Sequence, residues 1–335
     1  MSILVKKVRI YGFRGLENFE IDLEETTVLT GMNNSGKTSF LKALQLVFGQ
    51  RNFISQDDFY IKENISCSRI VVDILIIPVN DSFNQIDDFT VDWEILFTTD
   101  RIKSNGISNF VPLRTIITLD PIKNSFKSAQ FVLKDWPPFI NDEKYWYDID
   151  NGNKTLFNFD EIPFFYVDAQ RDILEDTKLK NSYLGKMLAR VEYSAEQIKE
   201  IEDSIKELNE SAVNGSDILQ NLKTVLKELD YAIGNSGEGI DITPFTKRIR
   251  DLSKGLTIYY GNESDSFSME YHGMGTRSWS SLLTLKSFVL LLSKKAEIES
   301  KIYFPIIAIE EPESHLHPNA QKNYFLKLIQ SKVKK

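Results

Sequence analysis

The sequence predicts an α/β fold in which a mixed core sheet is joined to an antiparallel β lobe and to an inserted helical hairpin. Three observations lead to this prediction. A glycine-rich loop at Gly31–Thr38 lies between an apolar run and a helix-like segment, and four short strand-like stretches follow it between residues 68 and 133. Helical periodicity replaces the strand pattern from about residue 186 to residue 232. Near the end of the sequence, the apolar run Ile306–Ile309 is followed by consecutive carboxylates.

The first half of the chain has the pattern of strands and turns. Residues 3–10 and 19–30 alternate or run apolar around a glycine turn, which predicts a hairpin whose second strand leads into the glycine-rich loop. Arg14 in that turn is then expected near whatever the loop binds. The run Ile162–Val167 predicts a core strand that ends in a polar loop, Asp168–Asp172. The stretches expected to form the antiparallel lobe are Ser68–Val79, Phe89–Thr98, Val111–Leu119 and Ala129–Leu133.

Two amphipathic helices are predicted in the next part of the chain. Apolar residues recur at spacings of three and four in residues 198–208 and again in residues 218–229, on either side of the break Asn214–Ser216. Their apolar stripe would pack on the chain's own sheet or on a second subunit. The outer face of the first helix is acidic, which favours a packing role over DNA binding. The chain is accordingly divided into three parts, residues 1–180, 181–240 and 241–335.

Composition limits the class of protein. The chain has 335 residues, of which 42% are hydrophobic, and a net charge of −8. It can therefore bury a substantial core, and it lacks a global positive field, so any DNA contact must come from a local patch or a partner. The single cysteine, Cys67, excludes an internal disulfide framework. Because no run approaches the roughly 20 apolar residues of a membrane span, we expect a soluble, cytoplasmic protein without membrane contact.

The glycine-rich loop is a complete G-x-x-x-x-G-K-[ST] motif. A strand, a glycine loop and a helix in this order aim several backbone N–H groups and the positive end of the helix dipole at one point, which suits a polyphosphate. Lys37 would reach the β and γ phosphates, and the Thr38 hydroxyl would take one position around Mg²⁺. The sequence therefore predicts a site for ATP or GTP. Further contacts are expected from Gly31, Asn33, Asn34, Ser35, Gly36 and Ser39.

The carboxylates after Ile306–Ile309 are the expected partners of this loop. A metal that bridges the phosphates needs an acid at the tip of a strand, and Glu310 is placed to be that acid. Glu311 is then the candidate general base that orients or deprotonates the attacking water. An apolar strand followed by acids is by itself more often a solvated strand end. The phosphate loop in the same chain is what favours the catalytic interpretation.

A second glycine-containing segment precedes the apolar run Leu282–Leu292. Glycines and hydroxyls at the start of a helix are another arrangement suited to an anion. The alternative is an ordinary strand-to-helix turn with Ser278 or Ser280 as the N-cap. One chain rarely needs two phosphate cradles for one nucleotide, so the second would serve a nucleotide bound to another subunit. Its candidate contacts are Gly273, Gly275, Thr276, Arg277 and Ser278.

Taken together, these motifs and the run Ile309–Pro318 resemble the ATPase half of the OLD-family (overcoming lysogenisation defect) ATP-dependent nucleases. Their order is similar, more broadly, to the ABC-type heads of the structural-maintenance-of-chromosomes and recombination proteins. The resemblance implies an α/β ABC-type P-loop ATPase head that forms a homodimer or higher homo-oligomer through its helical insertion. It implies that ATP is clamped between Gly31–Thr38 of one subunit and Gly273–Ser278 of its neighbour, with Ser314–His317 as the D-loop at that interface. It further implies that Arg171 faces the site.

The resemblance also frames the expected function. In such ATPases a strand ending in a switch histidine follows the carboxylates, and OLD nucleases continue into a Toprim domain, whereas this sequence stops at Lys335. The sequence is then either a fragment of a longer nuclease or a shortened ATPase that works with a separate effector. In both cases we expect an ATPase module whose nucleotide state controls DNA cutting outside this chain, by a C-terminal or separate Toprim nuclease, in DNA processing or phage defence, with no nuclease activity of its own. The alternatives are a nucleotide-dependent oligomeric scaffold with little turnover and a DNA-repair ATPase similar to the structural-maintenance-of-chromosomes proteins.

Overall fold

The computed structural model divides the chain into two compact units. The first contains Met1–Ala169 and Leu291–Pro312, and the second contains Gln170–Leu290 and Glu313–Lys335. The division of the chain into three parts stays a prediction. The residues that the structure describes are 2–49, 53–120, 125–142, 145–146, 152–191, 193–222, 224, 257–260 and 267–314.

The first unit is built on an antiparallel sheet. Its strands are β1 (Ser2–Phe13), β2 (Leu16–Asp22), β3 (Ile61–Lys62), β4 (Ile65–Ser66), β5 (Arg69–Val79), β6 (Lys103–Ser104), β7 (Asn109–Asp120), β8 (Ser125–Val132) and β9 (Asn153–Thr155). The main order is β2-β1-β5-β7-β8-β9, β6 pairs with β7, and β3 and β4 form a separate small hairpin. The antiparallel lobe that the sequence predicts is thus confirmed for three of its four stretches, namely β5, β7 and β8.

The fourth predicted stretch, Phe89–Thr98, was predicted wrongly as a strand: from Val91 it forms the first part of helix α2 (Val91–Arg101), which is kinked at Thr98. Apolar residues occupy every second position from Phe89 to Phe97, which suggested a strand, but Phe89, Trp93 and Phe97 are also spaced by four. Those three side chains are buried, whereas Val91 and Ile95, which a strand would bury on the same face, are 68% and 70% exposed. The helical period therefore prevails because it places the aromatic side chains in the core.

A second correction concerns Thr27–Thr30, expected to be a strand entering the glycine-rich loop. β2 ends at Asp22, and Thr27–Thr30 belong to no strand. The backbone N–H of Glu24 donates a hydrogen bond to Thr27 Oγ1 at 2.9 Å, forming a local turn that takes the chain out of the sheet. Val28 is consequently 73% exposed.

The core of the first unit lies on one face of the sheet. Helix α1 (Lys37–Val47) and α2 pack there together with two short parallel strands, β10 (Phe164–Val167) and β13 (Ile306–Ile309). The ring of Phe48 stacks on that of Phe164 at 5.3 Å between centroids, which joins the end of α1 to β10. Both predicted core strands are confirmed. The α/β class is confirmed as well, and in the described residues the parallel pairing consists of β10 with β13.

The opposite face of the sheet buries charged side chains. Asp73 on β5 and Arg114 on β7 are both 0% exposed, and Arg114 donates from Nε and Nη2 to the two Asp73 oxygens at 2.7 and 2.8 Å. Arg9 on β1 is the cross-strand partner of both Asp73 and Glu20, and its Nε donates to Glu20 at 2.5 Å. Charges of alternating sign thus run across four strands. Aromatic residues cover this row: Trp136, Phe139, Tyr145 and Trp146.

The second unit is mainly helical where it is described. Its helices are α3 (Ile173–Lys178), α4 (Tyr183–Leu188), α5 (Ala195–Asn214) and most of α6 (Met274–Ile298), and β11 (Tyr259–Tyr260) pairs with β12 (Phe267–Ser268). Helix α5, the first predicted amphipathic helix, is confirmed and begins with a capping box between Ser194 and Gln197. Residues 217–222 are also helical, while the rest of the predicted second helix lies outside the described residues. Within the described part of the chain, no helix combines the length and apolar character that crossing a membrane requires.

Candidate nucleotide-binding site

The predicted phosphate loop forms a tight turn in front of α1. Gly36 precedes the helix with a φ of 93°, in the left-handed region that favours glycine. A Cβ at this position would lie 2.9 Å from Leu16 Cδ2, so the loop packs directly against the start of β2. The first N–H groups of α1 have no partner within the helix, which leaves them available to an anion at this end.

Lys37 lies over the loop. Its ammonium group donates to the carbonyl oxygens of Gly31 at 2.7 Å and Met32 at 2.9 Å. An ammonium has three donors and no acceptor, so these same hydrogens can turn to phosphate oxygens. The positive charge is therefore held at the mouth of the loop, where the phosphates are expected.

Thr38 and Glu310 are brought into contact although 272 positions separate them in the chain. The Thr38 hydroxyl donates to Glu310 Oε1, and the Tyr166 hydroxyl donates to Glu310 Oε2. The Glu310 N–H donates to the Val167 carbonyl at 2.9 Å, which continues the β10–β13 pairing by one residue and fixes where Glu310 lies. One carboxylate and one hydroxyl are a donor set that fits Mg²⁺, because this ion keeps several waters and takes other oxygens from phosphates. Their role as metal ligands stays a prediction.

Three further side chains meet at this point that the sequence reasoning did not identify: Lys42, Tyr166 and Asp168. Lys42 Nζ lies 3.6 Å from Asp168 Oδ2 and 4.2 Å from the centre of the Tyr166 ring. Burial raises the pKa of Tyr166, and its hydrogen bond to Glu310 raises it further, so the phenol is a neutral donor. The spacing of Lys42 four residues after Thr38 is the one signal in the sequence, since it places both on the same face of α1.

Glu311, the candidate base, follows Glu310 directly and is exposed. Its φ is 42°, in the left-handed region, and it precedes Pro312, which itself disfavours a helical conformation. Such a backbone conformation costs on the order of 1–3 kcal/mol and tends to occur at functional sites. The structure therefore places a strained, solvent-accessible carboxylate one residue beyond the Thr38–Glu310 contact.

Arg14 lies in the β1–β2 turn, with a φ of 49°. Its Nε donates to Asp58 Oδ1 at 2.8 Å, and its backbone N–H donates to the Asp58 carbonyl at 2.8 Å. Asp58 is buried, so Arg14 is held rigidly by a fixed charge. The two residues line a cleft of about 610 Å³ together with Ser55, Asp57, Phe59, Tyr60 and Ile61.

The second glycine segment, Gly273–Ser278, belongs to the second unit. The structure corrects the alternative interpretation in which Ser278 or Ser280 is the N-cap of the following helix. Helix α6 begins at Met274, so neither Ser278 nor Ser280 caps it. Gly273 is exposed and Gly275 to Arg277 are partly exposed, whereas Ser278 is only 1% exposed, which argues against contact between its hydroxyl and a nucleotide on a neighbouring subunit. The part that this segment plays in nucleotide binding stays a prediction.

Arg277 is held within its own chain. Its Nε donates to Asp172 Oδ1 at 2.9 Å and its Nη2 donates to Asp172 Oδ2, a bidentate pair. One turn further along both helices, Ser281 Oγ donates to Asp176 Oδ2 at 2.5 Å. Burial raises the pKa of Asp176, although the hydrogen bond from Ser281 opposes this shift. Arg171, which the resemblance placed facing the site, is buried.

Some predicted features lie outside the described residues, namely His315 to His317 of the implied D-loop. Among the residues that are described, no group of three or more histidine, cysteine or acidic side chains is arranged to hold a metal ion by itself. A magnesium ion at Thr38 and Glu310 would therefore depend on water and phosphate oxygens for its other ligands.

A comparison with protein families matches residues 4–335 to the model described as an AAA ATPase domain. The chain belongs to the AAA ATPase domain family. ATP hydrolysis is thus its enzymatic class and ATP its nucleotide, which resolves the choice between ATP and GTP that the loop alone left open.

Two curated relatives of this AAA ATPase domain are OLD nucleases. The one from Thermus scotoductus is 23% identical over 349 aligned residues, covering 97% of this chain and 56% of the relative. The one from Escherichia phage P2 is 23% identical over 335 residues, covering 96% of this chain and 53% of the relative. The resemblance to the ATPase part of the OLD family is therefore confirmed, and the chain spans about half the length of these relatives.

Two solved structures of the recombination mediator protein RecF, with ATP and with ATPrS, are also similar to this AAA ATPase domain. Both are 13% identical, with TM-scores of 0.42 and 0.41. They cover 98% and 97% of this chain and 91% and 90% of their own. With sequence identity and TM-scores this low, the similarity to these structures supports no conclusion about function.

Proposed function

We propose that this domain binds Mg²⁺ and ATP at the Gly31–Thr38 loop and hydrolyses the nucleotide when two subunits close around it. The observation that carries the proposal is the contact between Thr38 and Glu310, because it joins the phosphate loop to an acid at a strand tip. The magnesium ion would supply charge that neutralises the phosphates and holds them in place.

Each residue of the site has a distinct task in this proposal. The N–H groups at the start of α1 and the Lys37 ammonium bind the phosphates, and Thr38 and Glu310 hold the metal side. Glu311 orients the attacking water and takes its proton, a contribution that typically accelerates a reaction 10²–10⁴-fold. Arg14, whose guanidinium is fixed by Asp58, would contribute a hydrogen-bond donor near the nucleotide.

The proposed second half of the site comes from a neighbouring subunit. Gly273, Gly275 and Thr276 are at least partly exposed at the start of α6, where N–H groups without helical partners can receive an anion. Arg277 would contribute its guanidinium after leaving Asp172, because its backbone N–H already donates to the Gly273 carbonyl at 3.2 Å. A homodimer or higher homo-oligomer follows from this arrangement, since each nucleotide needs residues of two chains.

The nucleotide state is proposed to control an effector outside this sequence. The curated relatives are named OLD nucleases, and this chain matches about half of each. We infer that ATP binding and hydrolysis gate DNA cutting by a nuclease part or partner, in DNA processing or phage defence. With a net charge of −8, the chain would contact DNA through a local patch or that partner.

The test measures ATP binding and hydrolysis for wild type, Lys37→Ala, Glu311→Gln and the control Glu297→Gln. Glu297 is an exposed acid on α6. Lys37→Ala should lose nucleotide binding, whereas Glu311→Gln should keep binding and lose about 10²-fold or more in hydrolysis. The control should behave as wild type. Equal, low rates in all four proteins would instead indicate a nucleotide-dependent scaffold.

Subunit closure is tested by light scattering after size-exclusion chromatography. Glu311→Gln in saturating Mg²⁺ and ATP should accumulate a dimer or larger oligomer that contains ATP, because the nucleotide joining the subunits is no longer removed. A strictly monomeric protein under these conditions would disprove the shared site, while leaving nucleotide binding by the loop intact.

A further inference from the structure

Glu310 accepts a hydrogen bond on each of its carboxylate oxygens. Thr38 donates to Oε1 from the phosphate loop, and Tyr166 donates to Oε2 from the neighbouring strand β10. A glutamate side chain has three rotatable torsions, so a single hydrogen bond would still allow the carboxylate to rotate and its second oxygen to change position. The second donor removes this freedom and selects one orientation of the carboxylate.

Tyr166 is itself fixed from several directions. It pairs in register with Ala308 on β13, two residues before Glu310, so the strands hold its backbone at a set distance from the carboxylate. The Lys42 ammonium lies 4.2 Å from the centre of its ring, a cation–π contact. Its hydroxyl lies 3.4 Å from Asp168 Oδ2, and that same oxygen is 3.6 Å from Lys42 Nζ.

Helix α1 therefore supplies a residue to each of the two contacts that Glu310 makes. Thr38 and Lys42 are four residues apart on α1 and so lie on the same face of the helix. Thr38 donates a hydrogen bond to Glu310, and Lys42 contacts the ring of Tyr166, which is the other donor to Glu310. Since the phosphate loop opens into this helix, the helix, β10 and β13 form one closed network around the carboxylate.

We propose that Tyr166 is a positioning residue that orients Glu310 for Mg²⁺ and sets the affinity of the site for this ion. The proposal rests on the proposed function, in which Glu310 is the metal-side acid. Outer-shell partners that orient a metal ligand typically account for 10–100-fold in metal affinity. Tyr166 does not touch the phosphates in this scheme, so nucleotide binding without metal should not depend on its hydroxyl.

The test is a magnesium titration of the binding of fluorescent N-methylanthraniloyl ATP by wild type, Tyr166→Phe and the control Tyr193→Phe. Tyr193 is an exposed tyrosine in the second unit, and its variant removes the same hydroxyl elsewhere. Tyr166→Phe should raise the Mg²⁺ concentration at half-saturation about 10-fold or more. Binding in excess EDTA and the thermal unfolding midpoint should stay as in wild type.

A second variant, Lys42→Met, keeps the experiment decisive should Tyr166→Phe unfold. It removes the cation over the ring while leaving the hydroxyl, and it should raise the half-saturating Mg²⁺ concentration several-fold. If both variants reach half-saturation at the same Mg²⁺ concentration as wild type, the proposed role of Tyr166 is wrong. It is also wrong if the variants lose as much affinity for the nucleotide in EDTA as they lose in Mg²⁺. Wild-type protein that binds no nucleotide overturns the proposed function itself, so the two failures are distinguishable.

Discussion

The buried pair of Asp73 and Arg114 offers the sharpest test of what stabilises the antiparallel sheet. Replacing Asp73 by Asn leaves Arg114 charged, because a guanidinium does not deprotonate in proteins. The pKa of Arg114 is raised despite the opposing effect of burial, because Asp73 favours its charged form. The variant therefore buries a cation that has lost its counterion.

The expected magnitude follows from the geometry of the row of charges. Both side chains are 0% exposed and share two hydrogen bonds, at 2.7 and 2.8 Å, so removing one partner should cost about 3–5 kcal/mol in free energy of unfolding. The variant also loses the attraction between Asp73 and Arg9, its cross-strand partner on β1, whereas the repulsion between Arg9 and Arg114 stays as in wild type.

The assay is urea unfolding followed by tryptophan fluorescence. Trp136 and Trp146 lie over the row of charges, so the signal reports on this unit. The exposed pair of Lys62 and Glu17 supplies the control: Glu17→Gln should barely shift the midpoint, since exposed ion pairs contribute little. The double variant Asp73→Leu, Arg114→Leu should recover most of the loss, because apolar pairs often replace buried ion pairs without cost.

Two results would refute this reasoning. A loss below about 1 kcal/mol for Asp73→Asn would mean that the pair behaves as a hydrated surface pair. A double variant as unstable as Asp73→Asn would mean that shape and packing, rather than an unpaired charge, cause the loss.

Three further predictions concern the site and the second unit. In a nucleotide titration, Gly36→Ala should weaken binding more than the control Gly49→Ala. Both glycines have a positive φ, but only at position 36 would the added Cβ lie close to a neighbouring side chain. Asp176→Asn should raise the melting temperature at pH 7 but leave it unchanged near pH 3. Because the pKa of Asp176 is raised in the folded protein, the free energy of unfolding falls as the pH rises past the pKa that this carboxyl has in the unfolded chain, and an asparagine does not ionise and so avoids this loss. Asp172→Asn keeps an N-cap for α3 but loses the charge facing Arg277, so hydrogen exchange at the start of α6 should accelerate.

Much of the first unit could be predicted from local patterns. The glycine loop and the carboxylates after Ile306–Ile309 are read from spacing and residue type, because a phosphate needs N–H groups and a metal needs an acid at a strand end. The apolar stretches that form β5, β7 and β13 are equally local signals. Where two periods fit the same residues, as in Phe89–Thr98, the sequence could not decide.

The class of the fold, the phosphate loop and the acids expected to serve it could be predicted from the amino-acid sequence, because these features depend on residue types at fixed spacings. The contacts of Glu310 with both Thr38 and Tyr166, and of Arg277 with Asp172, are known only from the three-dimensional structure. These contacts join positions more than 100 residues apart. Strand register and helix packing create them, and no local pattern in the chain records which distant side chains will meet.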